Sequence, residues 1–118
     1  MLTFGSTVIG VQDIPRATAF WSAALDFEPT SPGDETWVIL QAKDGSGRRI
    51  SLGLSETPVQ EHPRIHLDLY ADDQAAEIER LKGLGATDVD WDLYPENPDF
   101  VVLADTEGNR FCVIDKTA

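Results

Sequence analysis

Cysteine is almost missing from this 118-residue chain: Cys112 stands alone, which excludes an internal disulfide and any multi-cysteine zinc or iron–sulfur cage. Positive charge is scarce as well. Nine Lys and Arg face 21 Asp and Glu, for a formal net charge of -12, and the polyanionic backbone of nucleic acid or an anionic membrane repels such a surface. The sequence predicts neither as a partner. No apolar run approaches the ~20 residues that span a bilayer, and the opening MLTFGSTVIG lacks a basic segment followed by an apolar one. The expectation is a cytoplasmic protein. No GxGxxG or Walker pattern occurs, so nucleotide cofactors have no support. What is present, 42% hydrophobic and 25% charged residues, is the composition of an ordinary globular chain of a size suited to one domain.

The chain repeats itself. The segment STVIGVQDIPRATAFWSAAL, starting at Ser6, lies over HLDLYADDQAAEIERLKGLG, starting at His66, which sets Asp13 on Asp73 and Trp21 on Leu81. Farther on, Trp37 to Leu40 lies over Phe100 to Leu103, and Asp44 to Ile50 over Asp105 to Phe111. Each half has the same order of elements. In the first, an apolar run at Thr7 to Val11 leads to a helix with Asp13 as N-cap and Pro15 in its first turn, where a missing N–H costs little. Ala17, Phe20, Trp21, Ala24 and Leu25 recur at helical spacing as a core-facing stripe. Strands are predicted at 27–30, 36–42 and 49–54, the last two joined by a Gly-containing turn. The second half predicts a strand at 64–70 and a helix capped by Asp72 or Asp73, carrying Ile78, Leu81 and Leu84 and stopped by Gly85. Strands at 88–92, 100–104 and 110–115 complete it.

The fold class expected is α+β: two tandem βαβββ modules, 1–54 and 63–118, joined by a polar linker at 55–62, forming one domain. In the strand 64–70, alternation assigns Ile65, Leu67 and Leu69 to the helix side and His66, Asp68 and Tyr70 to the opposite face.

Several stretches carry a resemblance. The Val11-Gln-Asp13 helix entry followed by Phe20-Trp21 and Leu25-Asp-Phe27, the Leu84-Gly-Ala86 exit, the strand His66-Leu-Asp-Leu-Tyr70 and the run Leu103-Ala-Asp-Thr-Glu-Gly-Asn-Arg-Phe111 resemble the vicinal oxygen chelate superfamily of glyoxalases, bleomycin-resistance proteins and extradiol dioxygenases. The resemblance spans essentially the whole chain. It implies an open, cup-shaped mixed sheet with a ligand or metal inside, and by analogy a homodimer. The superfamily's metal-ligand positions fall on Ser6, Ser51, His66 and Cys112. Only His66 is a usual ligand, so no metal cofactor is predicted unless Asp68, on the face of His66, adds a donor beside Cys112.

The candidate catalytic residues are His66 and Asp68, two apart on one strand, where a carboxylate can orient an imidazole for proton transfer. The same pair also reads as polar lining of a wet cavity. Cys112 is either a thiolate paired with His66 or a small buried hydrophobe, and no oxyanion-hole motif accompanies it. Candidate ligand-binding residues are Ser6, Trp37, Ser51, His66, Tyr70, Phe100 and Cys112, with Trp91 and Tyr94 as further aromatics on the adjoining loop. Two functions remain open: a metal-free binder of a small, flat or aromatic molecule, of the antibiotic-sequestering kind, or a lyase, isomerase or dioxygenase-like enzyme using His66 as base or metal ligand.

Overall fold

The computed structural model describes residues 1–117, which divide into two compact units, Met1–Thr57 and a second beginning at Pro58. In the first, β1 (Thr7–Val11), α1 (Ile14–Leu25), β2 (Phe27–Pro29), β3 (Trp37–Ala42) and β4 (Arg49–Leu54) build a mixed sheet of order β1-β4-β3-β2. β1 runs parallel to β4, and the other neighbours are antiparallel. A parallel pair needs a crossover, and α1 with the strands after it supplies one. Asp13 caps α1 by accepting the Arg16 N–H at 3.0 Å, and Pro15 sits in the first turn. Helical spacing buries Ile14, Ala17, Phe20, Trp21 and Ala24 against Val38, Leu40, Ile50 and Leu52 of the sheet. The rings of Phe20 and Trp21 meet edge to face at 5.0 Å.

The second unit repeats the plan with β5 (Asp68–Ala71), α2 (Gln74–Leu84), β6 (Thr87–Asp88), β7 (Phe100–Ala104) and β8 (Arg110–Asp115), ordered β5-β8-β7-β6. Asp73, not Asp72, caps α2, accepting the Ala76 N–H at 3.1 Å. Gly85 ends the helix at φ +121°, where a Cβ would lie 2.8 Å from the Thr106 methyl. α2 buries only Leu81, so Leu103, Phe111 and Val113 of the sheet supply most of this core. Asp44 and Asp105, superimposed by the repeat, both close their turns by accepting the N–H two residues on, at 2.8 Å each. Asp105 also accepts the Asn109 N–H at 2.9 Å and is buried.

Two expected strands are shorter than predicted. The strand foreseen at 64–70 begins at Asp68, and Ile65, expected on the helix side, is 79% exposed. Before Asp68, the Leu67 carbonyl still accepts the Cys112 N–H at 3.0 Å, but the Arg64 N–H donates to the Gln60 side chain at 3.3 Å and Arg110 donates to the Glu61 carbonyl at 2.6 Å. The strand foreseen at 88–92 stops at Asp88. Beyond it Asp92 turns to His62 at 2.7 Å, and Trp91 packs on the His62 ring. Among the described residues no helix is long and apolar enough to cross a membrane.

Candidate functional site

The second unit carries a cavity of about 300 Å³ on the sheet face away from Leu103 and Val113. Alternation along the strands aims its lining there: Phe100 and Val102 from β7, Arg110, Cys112 and Ile114 from β8, Asp68 from β5. His66, just before β5, joins them, and Trp91 and Leu93 come from the loop after β6.

At the polar corner, Asp68 stands opposite Cys112 in the parallel register of β5 and β8. His66 Nδ1 lies 3.1 Å from Asp68 Oδ1 and 3.9 Å from Cys112 Sγ. Burial first, then the negative charge of Asp68 and a hydrogen bond to it, push the Cys112 thiol up to about 11. The thiol is therefore a protonated donor near neutral pH and not a ready nucleophile.

The aromatic walls are fixed by contacts around them. Trp91 is held between the His62 ring, 5.1 Å away, and the Arg110 guanidinium, 6.0 Å from its ring centre. His62 also bonds Asp92, holding that carboxyl below its ordinary range. β6 is too short to reach Val102, so the Val102 N–H donates to the Tyr94 hydroxyl at 2.8 Å. The Tyr94 ring then leans on Phe100 at 5.2 Å.

Of the residues expected at the site, His66, Asp68, Phe100 and Cys112 line this cavity. Tyr70 shares the face of Asp68 but is 72% exposed and does not line it. Ser6, Ser51 and Trp37 belong to the first unit. There the Ser6 and Ser51 hydroxyls bond each other at 2.5 Å, and the Trp37 ring lies over Gly53 in the space a Cβ would fill, 3.2 Å away. Arg110 and Ile114 escaped the sequence reading, although each is two residues from Cys112 on one strand and so shares its face. That spacing was the available signal.

The donor chemistry decides which metal these residues suit. Among the positions implied by the resemblance, Ser6 and Ser51 are weak ligands for a hard cation, and their hydroxyls bond each other. His66, Asp68 and Cys112 differ. Their imidazole, carboxylate and thiol donors lie within 4.8 Å of one another, all in the second unit.

The sequence matches the model of the glyoxalase-like domain over residues 6–114. None of the curated proteins matches it. Among solved structures, a glyoxalase-related enzyme from Fulvimarina pelagi superposes with a TM-score of 0.70 at 13% identity, covering 99% of this chain and 90% of the other. A mutant of the fosfomycin resistance protein FosX from Listeria monocytogenes, complexed with Mn(II) and 1S,2S-dihydroxypropylphosphonic acid, gives 0.73 at 15% identity over 97% and 90%. A glyoxalase/bleomycin resistance protein from Albidiferax ferrireducens T118 gives 0.64 at 15% identity over 96% and 98%. These likenesses agree with the paired βαβββ topology, and with a family model matched over nearly the whole sequence the chain belongs to the glyoxalase-like domain family of the vicinal oxygen chelate superfamily.

Proposed function

We propose that the protein binds a small, flat, largely apolar molecule in the cavity of its second module and sequesters it, as an antibiotic-resistance protein does. One observation carries this reading: the cavity of about 300 Å³ has Trp91 and Phe100 in its walls, each braced by a second side chain, and a polar corner at His66, Asp68 and Cys112. Mostly apolar walls with a few convergent polar groups suit a small ligand. Affinity comes from burial and ring stacking, with the polar corner fixing orientation. Fluorescence titration against a panel of aromatic natural products, with chelator present, tests it. Saturable binding that falls about tenfold or more in Trp91→Ala, the cost of removing one large apolar contact, supports the reading. Absence of binding across the panel at high micromolar ligand contradicts it. The assembly that accompanies this reading is a homodimer of tandem 1–54 and 63–118 modules, which light scattering measures.

The 3.1 Å contact of Asp68 with His66 Nδ1 favours a second reading, in which the carboxylate fixes the tautomer and leaves Nε2 to move a proton next to a carbonyl. An activity found in lyase or isomerase assays must then vanish in a folded His66→Ala variant. Retention of that activity would exclude His66 as the base.

A further inference from the structure

We infer that the second module alone holds a thiophilic divalent ion, zinc in preference to manganese, through His66, Asp68 and Cys112. The inference goes beyond ligand sequestration and does not depend on it. Three features of the backbone bring the donors together. The parallel register sets Asp68 directly opposite Cys112, so their side chains leave adjacent strands on the same face. His66 is two residues before Asp68 and reaches the same corner, its Nδ1 3.1 Å from the carboxylate and 3.9 Å from the sulfur. The Cys112 N–H donates to the Leu67 carbonyl at 3.0 Å, which ties the chain between His66 and Asp68 to β8.

The spacing suits one small ion. Donors about 2.0–2.3 Å from zinc in a tetrahedral shell stand a little over 3 Å apart, and here all three lie within 4.8 Å of one another. The donor types decide which ion. Manganese and magnesium favour sets of oxygen donors, whereas a thiolate with an imidazole favours zinc. Three protein donors also leave one position of a tetrahedral shell for water or an oxygen of a bound molecule. On binding, the Cys112 S–H bond breaks, the sulfur keeps the electron pair and donates it to the ion, and the proton leaves to buffer. No redox partner is needed.

Cys112 is the sole cysteine, so any metal–thiolate signal from one chain is its own. The test is a titration of untagged, chelator-stripped protein with Co²⁺, read as sulfur-to-cobalt charge-transfer absorption, followed by competition with Zn²⁺ and Mn²⁺. The expected result is a band that saturates at one ion per chain. Zinc should displace the cobalt, and manganese should fail to do so even at about tenfold higher concentration. Cys112→Ser, shown folded by circular dichroism, should lose the band, and Asp68→Asn should weaken cobalt binding about tenfold. Absence of the band in wild-type protein, saturation at one ion per two chains, or equal competition by manganese and zinc would each overturn the inference. The wild-type competition stands even if a variant fails to fold. A negative result here with ligand binding intact in chelator would remove the metal site and leave the sequestration reading standing.

Discussion

Asp68 and Cys112 stand opposite each other across the parallel pair β5 and β8, and burial together with the negative charge of Asp68 pushes the thiol up to about 11. An acid beside a half-buried thiol is the reverse of the environment that activates cysteine, since it opposes formation of a second negative charge.

Metal-free protein should therefore react sluggishly at Cys112. In chelator at pH 8, iodoacetamide alkylation is expected to run about tenfold or more slower than with free cysteine, because the thiolate fraction falls further than nucleophilicity rises. Asp68→Asn should speed it. The pH dependence has a definite sign: folding raises the thiol from 9.0 to about 11, so the protonated thiol favours the folded state below about pH 9, and that stability is lost as pH rises toward 11. Cys112→Ser should lack this alkaline loss in urea titrations run from pH 8 to 11.

Tyr94 links the fold to the site. Its hydroxyl replaces the ladder partner that β6 is too short to offer Val102, and its ring supports Phe100. Tyr94→Phe keeps the ring and removes the acceptor. The expected cost is about 1 kcal/mol in urea unfolding, with ligand affinity lowered several-fold because the ring that leans on Phe100 loses its tether to Val102.

Asp105 is the buried carboxylate of the turn between β7 and β8, accepting the N–H groups of Glu107 and Asn109. Asp105→Ala leaves both without that acceptor and should destabilise the protein by about 2 kcal/mol in urea titrations. Asp44→Ala, at the repeat-related but exposed turn, should cost less, because solvent can satisfy the freed N–H.

The internal repeat made much of the fold legible. Asp13 and Asp73 cap equivalent helices, Phe20 and Trp21 are core, and both halves form βαβββ units because helical and alternating periodicities are local properties of the chain. Strand length was less legible. Residues 64–67 and 89–92 alternate like strands, but side-chain bonds from Gln60, Arg110 and His62 compete for their surroundings, and those of Arg110 to Glu61 and His62 to Asp92 join residues 49 and 30 apart in sequence. At the cavity, the two-residue spacing of His66 and Asp68 exposed their shared face. The contribution of Trp91 depended on where an irregular loop places it, and Arg110 was overlooked although it shares a face with Cys112. Tyr70, chosen by the same alternation, is exposed and does not line the cavity, although Ile114 opposite it does.

The central claim is that the second module houses the ligand. Backbone amide chemical-shift mapping of isotope-labelled protein, titrated in chelator with an aromatic binder found by fluorescence, addresses it residue by residue. The account predicts saturable shifts at His66, Asp68, Trp91, Phe100, Val102 and Cys112, with Val11 and Leu52 of the first-module core unmoved. Shifts confined to the first module, or spread without saturation over the surface, would contradict it.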